Sequence, residues 1–108
     1  MAKAANDNGD YFPVYVVCNG MEMLGIIISE DVNSLGSKFN DPGVTHELFE
    51  TPFSNSSRFF SKLDPSLYEK MFSDKLSYFH HKHAFDFDTF ASNQKLMDFF
   101  DVLSINTD

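Results

Sequence analysis

Residues 11–18 run Tyr-Phe-Pro-Val-Tyr-Val-Val-Cys, residues 21–28 run Met-Glu-Met-Leu-Gly-Ile-Ile-Ile, and Asn19-Gly20 stands between them. Both runs are rich in β-branched, aromatic and long apolar side chains, and the first has the composition that suits a pleated surface. Asn-Gly between two such runs signals a two-residue type I′ hairpin, because that turn needs positive φ at both central positions. The pattern predicts an antiparallel hairpin with Asn19-Gly20 at its tip, Cys18 opposite Met21 and Val16 opposite Met23. Both faces of such a ribbon are apolar. It has to be covered on both sides, or packed on one and bound to something on the other. Pro13 lacks an N–H and suits an edge strand or a strand start.

Asp64-Pro65 predicts a helix start, with Asp as N-cap and Pro in the first turn. Leu67, Tyr68, Met71, Phe72, Leu76, Tyr78 and Phe79 then extend a helical pattern to about His81, on an arc wider than the usual apolar stripe. Phe85 and Phe87 alternate with Asp86 and Asp88, which predicts a short third strand over 84–88. A last amphipathic helix is expected from Thr89 or Ser92 to Ser104, with Leu96, Phe99, Phe100 and Leu103 on one face. Between these elements, residues 29–43 are polar and close on the turn signature Asn40-Asp41-Pro42-Gly43. A short helix at Glu30–Lys38 is a weak reading, and Val44–Phe53 fits a strand or one or two helical turns. Residues 1–10 read as a flexible tail. The expected fold is α+β, one domain over 11–108. In it an N-terminal antiparallel hairpin, extended to a sheet of three or four strands, packs with two C-terminal helices.

Composition adjusts this picture in three ways. The chain has 108 residues with 13 Phe, 4 Tyr and no Trp, which points to a core built of rings with some left over for a surface. A chain of 12.3 kDa should fold to about 6,100 Å² of accessible surface, enough burial for a core without staples. Its net charge is −8, and Arg58 is its one arginine, which disfavours direct binding to nucleic acid or to an anionic membrane. Cys18 is the one cysteine, so no intrachain disulfide forms. Set in an apolar run, it reads as a small buried hydrophobe. The N-terminal residues lack the apolar core of a signal peptide, and the apolar stretch 11–28 is too interrupted for a membrane span. The expected location is a reducing compartment, the cytoplasm of a cell or of an infected host cell.

Candidate chemistry is sparse. His80 and His83 lie three apart, a spacing that would place both on one helix face and makes them weak metal candidates. Cationic imidazoles at a helix C-terminus equally serve to complement its dipole, so no metal and no cofactor are expected. No GxSxG elbow and no glycine-rich phosphate loop occurs, and no catalytic residue is assigned. Charge is uneven: residues 84–108 hold five Asp against one Lys. Asp86, Asp88, Asp98 and Asp101, interleaved with Phe85 and Phe87, suggest an acidic partner-binding surface with apolar anchors. The expectation is a small, non-enzymatic binding protein, an inhibitor of viral or phage type. By character alone it would mimic nucleic acid and occlude a basic surface of a protein partner. The alternative is an assembly subunit forming a homodimer through the hairpin, and a metal-dependent enzyme comes third.

Overall fold

The computed structural model describes residues 1–36 and 39–107, Asp41 by its backbone alone. Its elements in chain order are α1 (Ala2–Asp7), α2 (Asn19–Ser29), β1 (Asp41–His46), β2 (Phe49–Glu50), α3 (Pro65–Ser73), β3 (Ser77–His81), α4 (Phe87–Ser92), α5 (Gln94–Phe99) and β4 (Ser104–Ile105). A single 3₁₀ turn spans Val32–Ser34. The class is α+β, with two small antiparallel sheets, β1 with β3 and β2 with β4.

The expected hairpin is not formed. The chain does turn here, but one residue early: the Gly20 N–H donates to the Val17 carbonyl at 3.0 Å, which puts Cys18 and Asn19 at the centre of the turn and leaves Asn19-Gly20 as the opening of α2. The chain then winds on as α2 rather than returning as a strand. The apolar spacing explains why. Gly25, Ile28 and Ser29 are buried while Met23 and Ile27, four apart, stay exposed, which is a helical and not an alternating division. Residues 11–17 take no regular secondary structure and pair with no strand among the described residues. Ahead of them, α1 is a short exposed helix carrying a Lys3–Asp7 ion pair at 2.6 Å.

Asp64 and Pro65 start α3 as the sequence dictates, with the Asp64 carboxylate accepting from the Ser66 N–H at 2.9 Å. The helix stops at Ser73, short of the predicted end near His81. Residues 77–81 pair instead with β1 in the register Val44–Phe79 and Thr45–Tyr78, and they alternate between half-buried and exposed. Strand pairing outweighs the local helical pattern here, as tertiary context commonly does. Gly43 sits in the bulge of this ladder at φ +98°, where a Cβ would lie 2.8 Å from Tyr78 Oη. The strand expected over 84–88 shrinks to one bridge between Gly36 and Ala84, and Phe87 already belongs to α4. The last predicted helix is two short ones. They break at Asn93, whose side chain accepts from the Leu96 N–H at 3.2 Å. The helix read at Glu30–Lys38 is the 3₁₀ turn alone; Ser37 and Lys38 lie outside the described residues, as does the terminal Asp108.

The core is small. Leu96 is fully buried, and Phe60 and Ile28 nearly so. Rings gather in two groups, Phe59, Phe60, Tyr68 and Phe72 in one and Phe85, Phe90, Phe99 and Phe100 in the other, mostly tilted or edge-to-face. The accessible surface is 8097 Å², about a third more than the 6,100 Å² that mass alone predicts. The radius of gyration is 14.9 Å, against about 13 Å for a compact chain of this length. Apolar side chains supply much of the excess, with Tyr15 90% and Tyr11 77% exposed.

Candidate functional site

The irregular run 11–17 meets α2 at Cys18, one of two non-glycine residues at positive φ among those described. Cys18 is the N-cap of α2 at φ 55° and ψ −121°. An L-residue is rarely held there, and such strain costs on the order of 1–3 kcal/mol. The turn is held by helical hydrogen bonds into the Cys18 carbonyl, from Met21 N–H at 2.9 Å and Glu22 N–H at 3.1 Å. The consequence is that the thiol stands out from the turn. Cys18 is exposed, with Sγ 4.0 Å from Asn19 Oδ1. The prediction of a small buried hydrophobe is therefore corrected. A strained turn leading into a helix start is shared with the nucleophile elbow, which projects a reactive side chain at the positive end of a helix.

Cys18 opens onto a cleft of about 420 Å³, lined by Cys18, Asn19 and Glu22 from the α2 side and by Asn40, Pro42, His80, His81, Lys82 and His83 from the β1–β3 side. Glu22 reaches it because it lies four residues, one helical turn, after Cys18. His80 and His81 reach it because β3 ends beside the start of α2. The His81 ring packs 6.0 Å from Phe79 and 5.8 Å from Phe39, with Nδ1 3.2 Å from the His83 carbonyl. His80 stacks on Tyr78 with ring centres 6.5 Å apart. The histidines thus stand on and just after a strand, not at a helix C-terminus, and both the dipole-capping role and the helix-face spacing of His80 and His83 fall away. Among the described residues no group of three or more His, Cys, Asp or Glu is set to hold a metal ion.

The acidic residues singled out in the sequence are dispersed. Asp86 caps α4, accepting from the Thr89 N–H and hydroxyl, both at 2.8 Å, and these bonds hold its carboxyl below the usual range. Asp88 lies in the first turn of the same helix. Asp98 accepts from Gln94 at 2.7 Å. Asp101 lines a second cleft with Phe53, Arg58 and Phe59. Phe87 is 75% exposed, whereas Phe85 is half-buried against Gly25. Sequence reasoning missed Cys18 and Glu22. The available sign was a β-rich run ending in Cys-x-Gly and followed by apolar residues at helical spacing.

No protein-family profile matches the chain. Individual relatives do. The chain is 38% identical over 102 residues to the gamma-glutamyl hydrolase of Rattus norvegicus, covering 94% of this chain and 32% of the relative. Identity is 34% over 102 residues to the gamma-glutamyl hydrolase of Homo sapiens, 94% of this chain and 31% of that one. It is 31% over 99 residues to gamma-glutamyl hydrolase 1 of Arabidopsis thaliana, 92% and 28%. These relatives are enzymes by name. They overturn the expectation of a non-enzymatic inhibitor, viral nucleic-acid mimic or assembly subunit. The chain is similar to gamma-glutamyl hydrolases along nearly its whole length and spans about a third of theirs.

Proposed function

We propose that this chain carries the nucleophile of a thiol-dependent hydrolase acting on γ-glutamyl amide bonds, and that the nucleophile is Cys18. The observation that carries this reading is the strained, exposed position of Cys18 at the N-terminus of α2, inside a cleft. The similarity to enzymes named for γ-glutamyl hydrolysis supplies the substrate class.

The chemistry follows from the residues. The deprotonated thiol attacks the γ-carbonyl carbon, and the carbonyl π electrons move onto oxygen. That oxyanion develops beside the first N–H groups of α2, where the helix dipole and the Asn19 N–H favour negative charge. Collapse of the adduct breaks the C–N bond, and the amine leaves with a proton. Water then attacks the γ-glutamyl thioester, giving free glutamate and restoring the thiol. Proton transfer at neutral pH is work for imidazole. Among the described residues, His80, His81 and His83 share the cleft with Cys18. A γ-linked glutamyl group also bears an α-carboxylate and an α-ammonium. Lys82 and the imidazoles match the first charge, and Glu22 matches the second. The excess apolar surface along residues 11–17 fits a chain that works packed against further protein.

The test is release of glutamate from a γ-linked glutamyl peptide, together with mass spectrometry after exposure to a γ-glutamyl chloromethyl ketone. Expected is one adduct, on Cys18, and a loss of about a thousandfold or more in hydrolysis for Cys18→Ser. Hydrolysis surviving in Cys18→Ala, or no adduct at Cys18, overturns the reading.

A further inference from the structure

Cys18, Glu22, Gly25 and Ser29 follow one another at helical spacing, so they form one stripe along α2. The first two face the cleft, and the last two are buried. Gly25 is buried for a specific reason: the Phe85 ring occupies the space where its side chain would be. A Cβ at position 25 would stand 1.9 Å from Phe85 Cζ and 2.6 and 2.8 Å from the two Cε atoms. No side chain larger than hydrogen fits without moving the ring or the helix.

Phe85 follows the opposite wall along the chain. It comes two residues after His83, the end of the imidazole and lysine face of the cleft. Its neighbours are fixed as well. Ala84 and Gly36 exchange backbone hydrogen bonds at 2.8 and 3.2 Å, and Asp86 caps α4. The chain therefore leaves the cleft wall through three consecutive anchored residues, of which the middle one plugs into α2. Resting on the reading of Cys18 as nucleophile, we propose that Phe85 and Gly25 are the positioning pair of this site. The ring seated on the glycine sets how far the Cys18 end of α2 stands from Lys82 and the histidines. Neither residue touches a reacting atom; both act through the placement of the two walls. Misplacement by about an ångström is enough to matter in such a site.

The chain's single cysteine gives a readout independent of hydrolysis. Iodoacetate and iodoacetamide alkylate the same thiol, but only the first is anionic, so the ratio of their rates reports how close the basic wall stands to Cys18. Opposite charges a few ångströms apart in water interact strongly enough to change that ratio by about twofold to fivefold. Expected is a fall of that size in Gly25→Ala and in Phe85→Leu. In the double variant, where the shorter side chain vacates the space the new methyl needs, the ratio is expected to recover. A merely structural role would lower the melting temperature without moving the ratio. Lys82→Ala, which leaves the packing alone, should lower the ratio and fixes its origin. A ratio unchanged in Gly25→Ala at full folding overturns the proposal. Should Gly25→Ala not fold, Phe85→Leu alone decides, by the same criterion. A protein that shows these shifts but hydrolyses nothing would sink the γ-glutamyl reading and leave the positioning pair standing.

Discussion

The segment 11–17 is the more apolar in sequence, yet it is the mixed regions around Leu96 and Ser54 that are buried. Around Leu96, α5 meets α2, Asn93 reaches the Ser29 carbonyl at 3.4 Å, and Lys95 pairs with Glu30. The loop after β2 is tied to the two residues that precede β4. The Thr51 hydroxyl donates to the Val102 carbonyl, and Ser54, also buried, donates to the Leu103 carbonyl. Residues 11–17 have almost none of this. Apart from Asn6 exchanging two hydrogen bonds with the Phe12 backbone and the Val17 carbonyl accepting from Gly20, the segment leaves most of its apolar side chains exposed. Hydrophobic side chains stabilise a fold only by leaving water, so a stretch is worth what lies over it rather than how apolar it reads.

The contrast can be broken in order of size. Leu96→Ala should cost about 2–5 kcal/mol, the usual range for emptying a closed site, measured by denaturant unfolding. A cost under about 1 kcal/mol would mean the site collapses freely and is no core. Ser54→Ala should cost about 1–3 kcal/mol, because it leaves the Leu103 carbonyl and the Thr51 N–H, 2.7 Å from Ser54 Oγ, without their partner. A substitution as mild as an exposed one would show that water replaces the hydroxyl. Tyr15→Ser, at a 90% exposed position, should change stability by no more than about 0.5 kcal/mol while lowering the binding of a dye specific for apolar surface. If it destabilises as much as Ser54→Ala, residues 11–17 are covered and the comparison fails.

Local rules were readable wherever they acted alone. Asp64-Pro65 announced α3 because capping needs only a carboxylate and a free N–H within three residues. The apolar face of Leu96 announced a buried helix, though Asn93 splits the predicted one by capping its second half. Histidines 80 and 81 were misplaced because Leu76, Tyr78 and Phe79 satisfy a helical period almost as well as a strand's. The choice fell to β1, far off in sequence. The acidic residues drew attention by count, but Asp86 is engaged in capping α4 and Asp98 in a bond within α5. Charge composition reports on the chain as a whole and not on any one place in it.

What the sequence determined unaided was the mixed class and the start of α3. Each depends on intrinsic preferences of neighbouring residues. What only the tertiary structure decided was the direction the chain takes after Val17, and with it the fate of Cys18. Asn19 and Gly20 become the first residues of α2, and the positive φ that a hairpin would have placed on them falls on Cys18 instead. Burial of Gly25 beneath Phe85, sixty residues on, accompanies the helical outcome and places the thiol on a strained turn facing Lys82 and the histidines. A contact of that sequence separation leaves no local pattern, which is why a lone cysteine in an apolar run read as filler while the fold sets it at the mouth of a cleft.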